Sequence, residues 1–253
     1  YAIVDDTLFI RGVTEDNVTQ TAFSVPVGQM PTAQAIELIR DYCRRNGLPV
    51  RFSAVPECFL PVFEAIPGAQ ISELADFADY LYDAAALASL SGKKLSKKRN
   101  HVNRFIAENP GYTFEPINAA NIDAVRAFCD ALGLKATSTG SSYESMMTRQ
   151  LLDHLDHYPF EAWMLSTPAR GLVAFTIGEI IGDTLHVHIE KMDHSTEGAG
   201  EAVNKLFAAE MTQRYPAIRY INRQDDDGDE GLRQAKQSYH PAMMVRKYNV
   251  TLP

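Results

Sequence analysis

A succession of strand and helix patterns that occurs twice along the chain limits its fold more than any other feature. In the second half the patterns follow in this order: strands over 171–180 and 184–192, a helix over 198–214, a strand over 218–221, a helix over 230–238 and a strand over 243–250. The first half gives the same order: strands over 7–11 and 21–27, a helix over 32–46, a strand over 50–55, a helix over 56–66 and a strand over 77–82. Such elements pack as helices on a sheet. The repeat therefore predicts an α+β fold with two α/β-type lobes, each a mixed β-sheet flanked by helices.

The segment between the two repeats adds helix patterns over 87–108, 118–132 and 143–157. We expect the lobe boundary near Gly111, with an N-terminal lobe over 1–110 and a C-terminal lobe over 111–253 that carries the site. The chain begins at Tyr1 inside a strand pattern, so we expect the N-terminal lobe to lack its opening elements, and a removed targeting segment stays open. Small residues over 135–142 predict a mobile loop.

Composition places the chain among soluble globular proteins. It has 253 residues, of which 45% are hydrophobic and 22% are charged. A formal net charge of −8 argues against nucleic-acid binding through overall charge, so an anionic partner needs a local basic patch. Cys43, Cys58 and Cys129 show neither disulfide nor zinc spacing, which favours a reducing, cytoplasmic location. No apolar run approaches the roughly 20 residues of a transmembrane segment, and the oligomeric state stays open.

A polar loop after the strand pattern over 218–221 is the first candidate site. It contains one amide, one cation and four acids: Asn222, Arg223, Asp225, Asp226, Asp227 and Asp229. A charged loop between two buried elements is a common place for binding and catalytic residues. EF-hand calcium spacing fails, because Gly228 in the sixth position puts Arg223 first and Gln234 last. Magnesium binding stays open, and the alternative is that the acids pair with Arg223, Arg233 or a basic helix.

A run of cations without any acid between Ser91 and Ala107 is the second candidate on this otherwise acidic chain. Its cations are Lys93, Lys94, Lys97, Lys98, Arg99 and Arg104. Lysine and arginine bind phosphates, so the run predicts contact with a cofactor, a tRNA end or a lipid head group. The residues that we assign to donor phosphates are Lys93, Lys97, Lys98 and Arg99. The alternative is a solvated helix face.

Strand alternation predicts that His186, His188 and Glu190 share one face of the strand over 184–192. Three interpretations stay open: ligation of zinc or iron, a half-solvated polar face, or the lining of a substrate cavity. In the third, burial raises the pKa of Glu190 toward neutrality, and Glu190 serves as a general base. We predict this third arrangement, with no metal ion.

Gly198 and Gly200 open the helix pattern over 198–214. Free backbone N–H groups and the positive end of the helix dipole suit a pyrophosphate at such a turn. The alternative is an ordinary turn, since the Glu197 carboxylate repels phosphate.

The order strand, strand, glycine turn, helix, strand, short helix, Tyr, strand resembles the acyl-CoA N-acyltransferase (GNAT-like) fold. This resemblance implies that Gly198 and Gly200 cradle the pyrophosphate of acyl-CoA. It also implies that Tyr239, at the end of the short helix, is a general acid. The Gln or Arg that is usual at the turn is Ser195 in this chain.

Two stretches, LSGKKLSKKRNHVNRF over 90–105 and INRQDDDGDEGLRQAKQSYHP over 221–241, resemble a bacterial family described as phosphatidylglycerol lysyltransferase C-terminal-like. HIEK over 188–191 also fits its pattern, and the resemblance covers essentially the whole chain. That family is similar to tandem GNAT-like enzymes, among them Fem-type aminoacyltransferases, which use aminoacyl-tRNA. The resemblance therefore implies two GNAT-like lobes and an acyl-CoA or aminoacyl-tRNA donor.

We accordingly expect transfer of an acyl or aminoacyl group from a CoA or tRNA donor to an amine or hydroxyl of a small-molecule or lipid acceptor. Glu190 is the expected base and Tyr239 the expected acid. The expected substrate-binding residues are His186, His188, Asn222, Arg223, Asp225 and Lys236. Lys236 fits equally well as a buried structural partner of the acidic loop. The alternative function is a non-catalytic module that binds a nucleotide, tRNA or anionic lipid.

Overall fold

The computed structural model of the protein describes residues 1–133 and 139–253. Contacts divide the chain into two compact units. The first comprises Tyr1–Asp79, Asp225–Arg233 and Met244–Pro253, and the second comprises Tyr80–Gln224 and Gln234–Met243. Residues 135–138 of the loop expected over 135–142 lie outside the described residues, and residues 139–142 belong to a helix rather than to a loop.

Fifteen strands and eight α-helices lie within the described ranges. The strands are β1 (Ala2–Val4), β2 (Thr7–Phe9), β3 (Arg11–Thr14), β4 (Asn17–Phe23), β5 (Val27–Gly28), β6 (Val50–Pro56), β7 (Gln70–Glu73), β8 (Asp79–Asp83), β9 (Thr113–Pro116), β10 (Glu161–Thr167), β11 (Gly171–Ile181), β12 (Thr184–Met192), β13 (Tyr220–Asn222), β14 (Met243–Val245) and β15 (Lys247–Leu252). The helices are α1 (Thr32–Asn46), α2 (Leu60–Glu64), α3 (Ala84–Ser89), α4 (Ser96–Glu108), α5 (Ile122–Gly133), α6 (Thr139–Asp153), α7 (Ala199–Arg214) and α8 (Glu230–Gln237).

The first unit is built on a mixed sheet with the strand order β3-β4-β6-β15-β7. Strands β4 and β6 are parallel, and β15 pairs antiparallel with both β6 and β7. Helix α1, predicted over 32–46, covers this sheet with the buried residues Ala35, Ile36, Ile39 and Cys43, and it ends at Gly47 in the left-handed region. A separate antiparallel sheet, β1-β2-β5, precedes α1.

A seven-stranded mixed sheet with the order β14-β8-β13-β12-β11-β10-β9 organises the second unit. Strands β12 and β13 are parallel, whereas β12-β11, β11-β10 and β10-β9 are antiparallel. Helices α3, α4 and α7 bury apolar residues on one side, including Leu87, Val102 and Phe207. Mixed sheets flanked by helices confirm the predicted fold class. No helix in the described ranges is both long and apolar enough to cross a membrane.

The division by contacts differs from the boundary expected near Gly111. Strand β8 and helices α3 and α4 contribute to the second unit, and the last strand, β15, returns to the sheet of the first. The two lobes over 1–110 and 111–253 were inferred from the repeated order of strands and helices, and this division stays a prediction.

The basic segment forms two helices rather than the single helix expected over 87–108. Helix α3 ends at Leu90, whose φ of 48° is left-handed, and α4 starts at Ser96. The Arg99 guanidinium closes the turn between them, since it donates to the carbonyls of Leu90 (2.5 Å) and Gly92 (3.2 Å). Arg99 therefore satisfies carbonyls that the end of α3 leaves open.

A β-bulge in the β11–β12 pair changes the face of the residues along β12. Leu185 and Val187 pack in the core cluster that includes helix α7, whereas Ile189 packs in the cluster that includes helix α5. The expectation that His186, His188 and Glu190 share one face is therefore wrong. Side chains alternate between the two faces of a regular strand, but the extra residue of a β-bulge interrupts this alternation.

Candidate active site in the second unit

A buried ion pair between Glu190 of β12 and Arg223 lies at the centre of the site. The Arg223 Nη2 atom donates to Glu190 Oε1 at 2.7 Å, and the two side chains are 13% and 12% exposed. The other carboxylate oxygen, Oε2, accepts from Asn204 Nδ2 of α7 at 3.2 Å. Both oxygens of Glu190 are thus oriented by neighbours, and Glu190 faces α7.

Three buried polar atoms around Glu190 have no hydrogen-bond partner within the described ranges. They are Thr176 Oγ1, Asn204 Oδ1 and Arg223 Nη1. Thr176 is paired in register with Glu190 across β11 and β12 and is fully buried. A buried polar atom without a partner costs about 1–3 kcal/mol, so such a group calls for an explanation such as a bound polar ligand. The cluster offers a hydroxyl, an acceptor and a guanidinium donor beside one carboxylate.

Tyr239 lies between two cations. Lys98 Nζ of α4 is 4.3 Å from the centroid of its ring, and Arg223 Cζ is 5.0 Å from it. Lys98 Nζ also lies 3.2 Å from Glu201 Oε1 of α7. Two ion pairs, Glu201–Lys98 and Glu190–Arg223, therefore flank the neutral phenol of Tyr239, and each presents its cation to the ring.

Burial raises the pKa of the Tyr239 phenol well above its ordinary value, and the nearby carboxylates of Glu190 and Glu201 add to that rise. The Arg223 guanidinium acts in the opposite direction but does not cancel the effect. Burial likewise raises the pKa of Tyr82, whose ring meets Tyr239 edge-on with centroids 6.3 Å apart. Both phenols are consequently protonated at neutral pH.

Arg223 keeps its charge in this environment. Burial alone would lower the pKa of Arg223, but attraction to Glu190, the two tyrosines and the hydrogen bond to Glu190 raise it on balance. The guanidinium therefore provides a fixed positive charge beside the carboxylate and the phenol.

The two predicted histidines lie apart from the Glu190 pair. His188 Nε2 is 2.9 Å from Glu179 Oε1, its Nδ1 is 2.9 Å from Gln224 Nε2, and its ring packs edge-on against Phe160. His186 is half-buried and pairs in register with Asn222 of β13. Both ring nitrogens of His188 therefore have partners, and the ring lies on the face of β12 opposite to Glu190.

The turn at the end of β13 carries the predicted residues Asn222 and Arg223, and the predicted Lys236 of α8 bonds its backbone. Asn222 is buried, and its Oδ1 accepts from the backbone N–H of Gln224 at 2.7 Å. Lys236 is buried as well and donates to the carbonyls of Arg223 and Gln224. These contacts give Asn222 and Lys236 structural partners in the turn that carries Arg223.

The predicted phosphate-binding residues differ in exposure. Lys93 and Lys97 are exposed, as is Lys94, whereas Lys98 and Arg99 are partly buried and bonded within the unit. The exposed lysines form a small basic patch at the start of α4.

Gly198 and Gly200 permit a close approach at the start of α7. Gly198 has a left-handed φ of 77°, and a Cβ there would lie 2.8 Å from the His101 carbonyl oxygen and 3.1 Å from Phe105 Cβ of α4. A Cβ at Gly200 would lie 2.5 Å from Met192 Sδ. The glycines therefore have a packing reason, and their phosphate-binding role stays a prediction.

Asp225 belongs to the first unit. Its Oδ2 accepts from Lys247 Nζ at 3.2 Å, and Lys247 also bonds Asp79 at 2.5 Å. The neighbouring Asp226 is buried and receives two bonds from Arg233. Asp226 therefore forms an ion pair with Arg233, which is the alternative to magnesium binding that the sequence left open. Within the described ranges, no three His, Cys, Asp or Glu side chains are grouped to hold a metal ion.

Four further residues of the site were not predicted from the sequence: Thr176, Asn204, Glu201 and Tyr82. Asn204 left a usable signal, because it is a polar residue between Val203 and Leu206–Phe207 on the buried side of α7. Thr176 left none, because threonine is common in buried strands.

Mixed sheets flanked by helices agree with the GNAT-like fold that the sequence resemblance implies. The chain belongs to the family described as phosphatidylglycerol lysyltransferase, C-terminal, which matches residues 1–251. A conserved protein of unknown function from Bacteroides thetaiotaomicron is 30% identical, with a TM-score of 0.86 over all of this chain and 85% of that chain.

Two more distant structures share the fold. L-PGS from Bacillus licheniformis is 16% identical, with a TM-score of 0.72 over 98% of this chain and 81% of that chain. FemX is 10% identical, with a TM-score of 0.58 over 92% of this chain and 81% of that chain. An uncharacterised protein of Mycoplasmoides gallisepticum is 23% identical over 175 residues. This match covers 68% of the present chain and 55% of that relative, so it spans about half the relative's length.

Proposed function

We propose that the second unit transfers an aminoacyl group from aminoacyl-tRNA to a hydroxyl or amine acceptor at the Glu190–Arg223–Tyr239 cluster. The observation that carries this proposal is the set of three buried polar atoms around Glu190 that have no hydrogen-bond partner among the residues that the structure describes. A polar substrate group that enters the cluster satisfies them and meets a carboxylate and a protonated phenol. Family membership supports a transferase.

The proposed reaction needs one base and one acid. The acceptor hydroxyl or amine attacks the carbonyl carbon of the aminoacyl ester, and Glu190 takes its proton after the acceptor displaces the Asn204 amide from Oε2. The tetrahedral oxyanion that forms is stabilised by the Arg223 guanidinium. The bond from carbon to the ribose oxygen then breaks, and Tyr239 protonates that oxygen.

A tRNA donor fits the charges better than CoA. The start of α7, where a GNAT-like fold would hold pyrophosphate, carries the carboxylates of Glu197 and Glu201, which are paired with Arg104 and Lys98. A pyrophosphate there has to compete with two carboxylates. The basic patch that contains the exposed Lys93 and Lys97 instead offers solvent-accessible cations suited to a nucleic-acid backbone.

Lysine and phosphatidylglycerol are the aminoacyl group and the acceptor to test first, because the family's description contains both. Purified protein is incubated with labelled lysyl-tRNA and vesicles that contain phosphatidylglycerol, with acetyl-CoA and an amine acceptor as the parallel arm. Labelled lipid that appears only with lysyl-tRNA supports the proposal. Acetylated amine without labelled lipid contradicts it and restores acyl-CoA as the donor.

A binding module without catalysis is the second candidate. It is favoured by the bonds that already hold both oxygens of Glu190, since a base has to exchange one of them. This candidate predicts saturable binding of tRNA or anionic vesicles and no product with any donor. Product formation that Glu190→Gln abolishes would eliminate it.

A further inference from the structure

The ammonium of Lys236 is bonded to two consecutive backbone carbonyls. Its Nζ donates to the Arg223 carbonyl at 2.8 Å and to the Gln224 carbonyl at 3.3 Å. The residue is 7% exposed. Helix α8 is fixed at this position from its other side, because Tyr82 Oη donates to the Lys236 carbonyl at 2.8 Å. The long side chain therefore spans a fixed distance to the turn.

The turn that Lys236 holds has a strained conformation. Gln224 has a φ of +56°, a region that non-glycine residues rarely adopt. Two backbone hydrogen bonds tie the turn to β8, since Tyr80 N–H donates to the Gln224 carbonyl and Arg223 N–H donates to the Tyr80 carbonyl. Strained residues persist only where surrounding contacts over-determine them. Lys236 is one of these contacts.

The same turn sends two neighbouring side chains to two functional groups of β12. Arg223 bonds Glu190 at 2.7 Å, and Gln224 reaches His188 at 2.9 Å. Because Arg223 and Gln224 are consecutive and contact residues on different faces of β12, one turn positions both side chains. A small rotation of this turn would move both side chains at once.

We propose that Lys236 is a positioning residue, whose ammonium fixes the Arg223–Gln224 turn so that Arg223 orients Glu190 and Gln224 orients His188. Its effect on rate rests on the proposed function, but its effect on Arg223 does not. This assignment differs from the substrate-binding role expected from the sequence, because two of the three N–H donors of the ammonium bond backbone carbonyls.

The structural arm of the test uses the arginine side-chain resonances of the whole protein. In the wild type, the bond to Glu190 slows rotation of the Arg223 guanidinium, so separate Nη resonances are expected. Lys236→Met should merge or shift them, and the ring ¹⁵N shifts of His188 should change in the same variant. Gln237→Met, on the exposed side of the same helix, is the matched control and should change neither. Unchanged Arg223 and His188 resonances in folded Lys236→Met would overturn the proposal.

Lys236→Arg is the second variant if Lys236→Met does not fold. It keeps the charge but places it on a longer, planar group, so it should also alter the Arg223 resonances. Identical resonances in Lys236→Arg and wild type would count against a geometric role.

The kinetic arm separates positioning from binding. Lys236→Met should lower kcat by about 100-fold and leave the KM for the tRNA donor unchanged, because a misplacement of about 1 Å costs roughly that factor. A higher KM with unchanged kcat would show a substrate contact and overturn the proposal. If the wild type transfers nothing, the proposed function fails while the resonance measurement still decides the role of Lys236.

Discussion

Arg223 and Glu190 form a 2.7 Å ion pair with both side chains largely shielded from water, and the guanidinium also lies 5.0 Å from the ring centroid of Tyr239. The Arg223 guanidinium thus lies beside both the proposed proton acceptor, Glu190, and the proposed proton donor, Tyr239. This arrangement links the stability of the second unit to its chemistry.

Removing one partner of this pair should destabilise the protein strongly. Arg223→Met leaves a buried carboxylate and Glu190→Gln leaves a buried guanidinium, so each should lower the free energy of unfolding by about 3–5 kcal/mol. The double variant should lose less than the sum, measured by urea denaturation. Arg219→Met is the control, because its pair with Asp183 is long and exposed, and it should cost less than about 1 kcal/mol. Equal losses for Arg219→Met and Arg223→Met would contradict the buried pair.

Stability should fall as the pH rises above about 10. Burial raises the folded-state pKa of Tyr82 and Tyr239, so in that range the unfolded chain loses these protons while the folded chain retains them. Each tyrosine then removes about 1.4 kcal/mol of unfolding free energy per pH unit, up to its folded-state pKa. Tyr82→Phe and Tyr239→Phe should each flatten the alkaline loss measured by urea denaturation between pH 9 and pH 11 (about the range of an ordinary phenol). A slope identical to that of the wild type would show that these phenols ionise freely in the folded state.

Gly198 and Gly92 form a matched pair for the packing of α7 on α4. Both have a left-handed φ, near 77° and 82°, but a Cβ at Gly92 meets nothing within 4 Å, whereas a Cβ at Gly198 meets the α4 backbone. The conformational cost of alanine is therefore similar, and the contact cost falls on Gly198→Ala alone. We expect Gly198→Ala to lose about 1–3 kcal/mol more than Gly92→Ala in urea denaturation. Equal losses of unfolding free energy in the two variants would contradict this prediction, since they would mean that α4 moves away from the new Cβ without an energetic cost.

Lys97 and Lys98 should separate binding from stability. Lys97 is exposed, so Lys97→Met should leave the unfolding free energy within about 0.5 kcal/mol of the wild type. It should weaken tRNA binding and lower the slope of log K against log salt by about one.

Lys98 contacts Glu201 and the Tyr239 ring, so Lys98→Met should cost about 1–2 kcal/mol of stability. Salt titration of tRNA binding and urea denaturation measure the two effects, and Arg45→Gln, exposed in the first unit, is the binding control. An unchanged salt slope in Lys97→Met would remove the exposed lysines from the proposed donor surface.

Much of the fold could be predicted, because apolar period and glycine punctuation are local properties of the sequence. The helix α1, with its four buried positions and its end at Gly47, follows directly from that pattern. The partition of the chain did not follow, because β15 pairs with strands almost two hundred residues earlier, such as β6. Pairing over such a distance is fixed by packing rather than by a local signal.

The candidate site was predictable by residue type more than by geometry. Glu190, Arg223 and Lys98 were each identified from charge and position, Tyr239 was implied by the resemblance to a GNAT-like fold, and the structure brings these four together. The prediction that Glu190 and His188 share one face of β12 was wrong, because one extra residue in the bulge inverts the alternation of side chains between the two faces. Lys98 and Arg99 looked like surface cations because sequence alone does not show that Glu201 and two carbonyls receive them.

The most direct test of the proposed site is single-turnover transfer from labelled lysyl-tRNA to phosphatidylglycerol vesicles by four proteins. They are the wild type, Glu190→Gln, Tyr239→Phe and the control Glu115→Gln, whose side chain is exposed on β9. We predict that the wild type and the control transfer at equal rates, and that the two site variants are each slower by about 100-fold or more. Transfer by Glu190→Gln and Tyr239→Phe at the wild-type rate would contradict it and place the chemistry elsewhere in the protein.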